Sequence, residues 1–176
     1  MNNKMMITLL AVSSALTATH AFAAAGTVNF NGNILDSACD VDVASQNQVV
    51  VLGDYYKTEF PTTGARTAAT QFNIVLKNCP VTVTNAKVRF DGTPDTTNSS
   101  LLAIDSSAAG AATGVAINLM SADKADLPLH GSNSYSYALS STMDNTLSFY
   151  AQYISTAAAV TAGPANSVAN FSVVYN

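Results

Sequence analysis

With 7 Lys and Arg against 11 Asp and Glu, the 176-residue chain has a formal net charge of −4, and only 10% of its residues are charged. That balance excludes nucleic acid and anionic membrane as main partners, because both call for a basic surface. So few charges leave an exterior rich in Ser, Thr, Asn and Ala, which suits a passive exported protein better than a busy enzyme.

In chain order, Lys4 precedes a mostly apolar run over residues 5–16, and Ala21-Phe22-Ala23 supplies the small residues that a signal peptidase needs. The apolar run is too short to span a bilayer as a helix, which takes about 20 residues. Residues 1–23 therefore read as a cleaved secretory leader, with cleavage after Ala23 and Ala25 as the second choice. The mature chain, residues 24–176, has a net charge of −5 once Lys4 leaves, and its 153 residues suit one domain.

Export implies an oxidising compartment, where Cys39 and Cys79 are expected to form one structural disulfide. Closing a loop of that length stabilises a fold by about 4 kcal/mol in the chain-entropy picture.

The mature sequence alternates as strands do. Val28, Phe30 and Ile34 open the series, with Gly26 and Gly32 in the same parity. A Val-rich run at residues 48–52 follows, then Phe72, Ile74 and Leu76, then Val88 and Phe90. Val115, Ile117 and Leu119 form a further set, as do Leu147, Phe149, Ala151 and Tyr153, and Phe171, Val173 and Tyr175 close the chain. A period of two places each set on one face of a strand. Turn clusters such as Gly53-Asp54, residues 91–95, Gly131-Ser132-Asn133 and Gly163-Pro164 separate them. Residues 106–113 allow a helical turn, but no segment carries a sustained helical repeat. The expectation is an all-β sandwich or barrel in one domain.

Catalytic motifs are wanting. The mature chain holds one histidine, His130, in a Gly-flanked loop that reads as solvated, and no G-x-S-x-G elbow accompanies it. Asp40 and Asp42 share a face if that stretch is extended, and solvation is the plainer reading of the pair. Asp91-Gly92-Thr93-Pro94-Asp95 has the flavour of a calcium loop without the later ligands. Neither a zinc ligand set nor any other cofactor site is recognisable, so no metal and no cofactor is expected.

The two ends are more informative. Residues 24–34 form an uncharged, extendable segment ahead of Cys39, and the alternation of Phe171, Val173 and Tyr175 runs to the last residues. Patterning alone leaves open whether these are simply the first and last strands of a sandwich.

Specific residues then add to this reading: Gly26-Thr27-Val28-x-Phe30-x-Gly32, Ala38-Cys39-x-Val41-Asp42 and Phe72-Asn73-Ile74-x-Leu76-x-x-Cys79. Further on come Phe90-x-Gly92-Thr93, Ser106-Ser107-Ala108-Ala109-Gly110, Phe149-x-Ala151-x-Tyr153 and Gly163 ahead of Phe171-x-Val173-x-Tyr175. In this order the chain resembles the pilin subunits of the chaperone–usher pathway, most closely the major subunit of type 1 fimbriae in Gram-negative bacteria.

The resemblance implies an incomplete immunoglobulin-like sandwich that lacks its last strand. It implies a periplasmic chaperone that fills the groove for a time, an outer-membrane usher, and a fibre in which each subunit lends an N-terminal arm to its neighbour. Carried onto this sequence, the arm is residues 24–34, with Gly26, Val28, Phe30, Gly32 and Ile34 facing the neighbour's groove and the small-residue position at Gly32. The chaperone-contacting strand is Phe171, Val173 and Tyr175, marked upstream by Gly163. A minor tip or adaptor subunit of the same fibre would share these features. A stand-alone carbohydrate-binding module, the reading from another class, would rest on Tyr135-Ser136-Tyr137, which patterning favours as core or rim strand.

Overall fold

The alternating sets become strands wherever one face can reach a common core. The computed structural model describes residues 26–32, 34 and 38–175; the leader expected at residues 1–23 lies outside them. The chain divides into two units, Met1–Ile34 and Leu35–Asn176. In the first, the described residues carry no regular secondary structure, and the side chains of Val28, Phe30 and Ile34 are 73%, 92% and 102% exposed.

The second unit is all but entirely β. Its strands are β1 (Asp40–Val41), β2 (Thr70–Lys77), β3 (Asn85–Gly92), β4 (Leu102–Ala103), β5 (Val115–Met120), β6 (Tyr137–Ala138), β7 (Asn145–Ser155) and β8 (Ala169–Tyr175). They form two antiparallel sheets, one ordered β1-β2-β7-β5-β4 and the other β6-β3-β8. Register follows the apolar parity: Phe72 lies opposite Phe149 and Ile74 opposite Leu147, while Val88 faces Val173 and Phe90 faces Phe171.

Ile74, Leu76, Leu147 and Phe149 from the larger sheet share one core with Ala86, Val88 and Phe90 from the smaller. Phe149 anchors it, with ring centroids 5.2 Å from Phe90, 5.6 Å from Phe72 and 5.2 Å from Tyr137. Such aromatic clusters contribute beyond their buried area. The architecture is the expected immunoglobulin-like sandwich, left open along one edge.

Two local expectations need correction. Residues 48–52 enter no ladder and carry no regular secondary structure, and Gln48 Nε2 donates to Asn73 O at 3.1 Å. Residues 106–113 form turns rather than a helical turn. The helical pieces lie elsewhere, at α1 (Val43–Gln46) and in a 3₁₀ turn at Lys57–Glu59. Asp40 is the register partner of Lys77, the same residue with which Asp42 pairs. Asp40 accepts from Asn78, whereas Asp42 caps α1 through the Ala44 N–H at 2.9 Å and pairs with Lys77 Nζ at 2.5 Å. The Lys77 ammonium holds the Asp42 carboxyl below its ordinary range, and Asp42 raises Lys77 in turn.

β5 departs from alternation because both of its faces are buried. Arg66 forms an isolated bridge with Ile154 of β7, and Asp126 one with Met120 of β5. The Asp126 carboxylate accepts from both Nη atoms of Arg66 at 3.1 and 3.0 Å and from Asn118 Nδ2 at 2.8 Å. A buried Asn in mid-strand is tolerated because its amide has this partner.

A candidate strand-acceptor groove

A sheet edge exposes unpaired N–H and C=O groups, and short edge strands are one way to blunt it. Among the described residues, the edge strands β1, β4 and β6 are two residues long, whereas β8 is seven. β8 pairs with β3 on one side only. Among the described residues it is the long edge with no strand beyond it.

Its inner face is also incompletely covered. Ala86, Val88 and Phe90 of β3 are 0%, 1% and 5% exposed, but their register partners Tyr175, Val173 and Phe171 are only half-buried. Alongside lies a cleft of ≈ 520 Å³ whose floor is core: Ile74, Phe90, Leu102, Ile117 and Leu119. One lip is residues 45–50 with Leu52, and the other runs from Ala165 to Phe171. None of the lining residues carries a charge. The cleft can therefore take an apolar, uncharged strand whose backbone meets the β8 edge.

Both lips are tethered to the sandwich. Ser45 Oγ accepts from Val75 N–H at 2.9 Å. On the other side Ser167 Oγ donates to Ala103 O at 2.5 Å, the Asp105 N–H to Asn166 O at 2.7 Å, and the Tyr153 hydroxyl to Ala165 O at 3.0 Å. Burial pushes the Tyr153 phenol up, so it remains a donor. Gly163 explains its own identity here: a Cβ would fall 2.0 Å from Gly110 O and 2.7 Å from Ala112 N. Only glycine lets the 160s loop approach that backbone and feed the lip.

The disulfide joins Cys39 and Cys79 at 2.10 Å, with both residues buried, and pins β1 to the end of β2 as expected. The Tyr175 hydroxyl reaches across to Cys39 O at 3.4 Å, so the end of β8 touches the start of the sandwich. Tyr175 is itself pushed up by burial. Val173 and Phe171 lie on the same inner face of β8.

Other residues singled out from sequence take ordinary or altered places. His130 is not merely solvated: Nδ1 lies 2.8 Å from Asp91 Oδ1 and Nε2 2.8 Å from Gly92 O. Asp91 is thereby occupied, and its carboxyl is held low, first by His130 and then by Arg89. Asp95 caps its own turn through the Thr97 and Asn98 N–H groups. Among the described residues, no group of three or more His, Cys, Asp or Glu is placed to hold a metal ion.

A second, shallower concavity of ≈ 590 Å³ lies between residues 135–140 and 143–147. It lacks an aromatic platform, because Tyr137 is buried, packs edge-on against Tyr135 at 4.6 Å, and gives its hydroxyl to Ser148 O. The cleft beside β8 is the better candidate because it pairs a free strand edge with an apolar floor.

The lip at residues 45–52 was missed as a site element. Its signal was present in Val49 and Val51, an apolar run with no ladder to join, and these two side chains are 89% and 76% exposed.

A family model described as fimbrial protein matches residues 28–176. A type 1 fimbrial subunit of Klebsiella pneumoniae is 41% identical, over 85% of this chain and 83% of its own. The type 1 fimbrial protein A chain of Escherichia coli strain K12 is 40% identical over 91% of each chain. Among solved structures, a subunit of a chaperone–usher pilus is 28% identical with a TM-score of 0.66, covering 92% of this chain and all of its own.

Proposed function

The chain belongs to the fimbrial protein family, and from that premise we propose that it polymerises head-to-tail by donor-strand exchange. It is a structural subunit of a bacterial surface fimbria. In the proposed assembly, residues 24–34 of one copy enter the cleft beside β8 of the next. Gly26, Val28, Phe30, Gly32 and Ile34 face inward, and the arm's backbone satisfies the β8 edge.

One observation carries the reading: β8, a seven-residue edge with a half-buried inner face, begins at residues 169–171 in the wall of an uncharged apolar cleft. The arm's composition agrees, since residues 24–34 carry no charge and alternate in apolar parity. Burying Val28 and Phe30 stabilises the junction by roughly 1.5–3 kcal/mol each, beside the main-chain bonds. Donor and acceptor are different patches, so the contact does not close and a filament results.

The same exposed edge calls for protection before assembly. We assign that to a periplasmic chaperone contacting Phe171, Val173 and Tyr175, with export by a leader at residues 1–23 and delivery through an outer-membrane usher. The reading assigns no catalytic role and no cofactor, and adhesion is supported by the fibre as a whole.

The test is a pair of substitutions, Val28→Asp and Phe30→Asp, with chaperone-bound subunit and heat-dissociable surface polymer measured separately. An aspartate there would bury an unpaired charge at the junction, a cost of several kcal/mol. Polymer should vanish while the chaperone complex and the disulfide persist. Loss of both, or of neither, would contradict donor-strand assembly.

A further inference from the structure

We infer that His130 is a positioning residue for this groove, a proton-dependent staple that holds the end of β3 and, through it, the β8 lip against which a donated strand pairs. The inference deepens the donor-strand reading and rests on it.

One residue engages three consecutive positions of β3. The His130 peptide N–H donates to Phe90 O at 2.9 Å, Nδ1 meets Asp91 Oδ1 at 2.8 Å, and Nε2 meets Gly92 O at 2.8 Å. The neighbouring strand on that side, β6, pairs with β3 only at Asn85 and Ala86. His130 thus stands where a strand partner is missing. On the other side, the register partners of Phe90, Asp91 and Gly92 are Phe171, Asn170 and Ala169, and all three line the cleft. His130 also holds a left-handed backbone, φ 59°, a conformation uncommon for residues other than glycine.

The chemistry of the ring makes the staple proton-dependent. Both of its partners are acceptors, a carboxylate and a carbonyl. An imidazolium carries two N–H groups and serves both, whereas a neutral imidazole carries one and must release either Asp91 or Gly92.

The charged groups facing the site are few. From β3 come Asp91 and Arg89, whose Nε and Nη2 each lie 2.9 Å from the same Asp91 oxygen. β8 sets the neutral Asn170 and Ser172 opposite them. The loop carrying His130 offers Pro128, Gly131, Ser132 and Asn133, all neutral, and Asp95 is turned to its own N–H groups. Apart from His20 in the proposed leader, His130 is the chain's only histidine, so a histidine-dependent response can be assigned to it.

The test compares wild type with His130→Asn. Asparagine tolerates the left-handed backbone but does not titrate. Polymer dissociation in hot detergent and amide-exchange protection factors at residues 169–171 of the unpolymerised subunit are measured at about pH 5.5 and about pH 8.

Wild-type polymer should dissociate roughly threefold to tenfold faster at the higher pH, as expected for losing one hydrogen bond. Protection at 169–171 should fall in parallel, and His130→Asn should show neither change. Equal pH responses in the two proteins, in either measurement, overturn the inference. Should wild type form no polymer, the donor-strand reading fails, and the exchange measurement alone then upholds or overturns the staple.

Discussion

β3 and β8 are adjacent strands of one sheet, similar in length and in apolar alternation, yet they differ in what surrounds them. β3 has β8 on one side and β6, then His130, on the other, and its inward side chains are sealed. β8 has β3 alone, and the same alternation leaves Phe171, Val173 and Tyr175 half in solvent. The difference lies in neighbours and not in composition: Val88 faces Val173 and Phe90 faces Phe171, like against like. A strand's sequence fixes which face points inward, but burial needs a second flanking strand. β8 is patterned for one that its own sandwich does not supply.

Truncation should separate the two strands most sharply. Phe90→Ala removes a sealed ring in contact with Phe149 and should cost about 3–5 kcal/mol in chemical unfolding of the subunit. Replacing Cys39 and Cys79 together by Ala releases the tie between β1 and β2, beside the lip opposite β8. A loss of about 2–5 kcal/mol is expected, with lower yield of exported subunit.

Phe171→Ala in β8 should cost less in the free subunit, about 1–2 kcal/mol, because the ring is already half-exposed. Its cost should approach that of Phe90→Ala once the groove is filled. Equal costs in the free subunit would erase the contrast.

The smallest effect concerns the lip near α1. Asp42 is lowered by Lys77, so its contribution is present above the ordinary aspartate range and is lost as pH falls through the lowered value. Thermal midpoints measured from about pH 5 down to about pH 2 should fall slightly less steeply for Asp42→Asn than for wild type.

Much of this was legible in the sequence. Period-two runs at Phe72–Ile74–Leu76, Leu147–Phe149–Ala151 and Phe171–Val173–Tyr175 mark β2, β7 and β8, because alternation is a local property. The disulfide followed from compartment and cysteine count. What escaped was set by partners distant in sequence. Residues 48–52 look like a strand but have no neighbour to bond. β5 alternates yet is buried on both faces, because Leu101 and Ile154 pack on Ala116 and Asp126 accepts from Asn118, all from outside the strand. His130 looked like a loop histidine because Asp91 and Gly92 lie 39 and 38 residues away. The arm's parity was readable, but the destination we propose for it, the groove of another copy, rests on the family and on the groove's chemistry.

Amide exchange on β8, with and without a synthetic peptide of residues 24–34, tests the vacant-strand account most directly. The peptide should raise protection along Ala169–Tyr175 by at least about tenfold, as a new row of main-chain bonds requires, and leave β3 unchanged. A peptide carrying Val28→Asp and Phe30→Asp should have no effect. Unchanged protection on β8, or equal protection from the aspartate peptide, would contradict the claim that β8 awaits a strand from another copy.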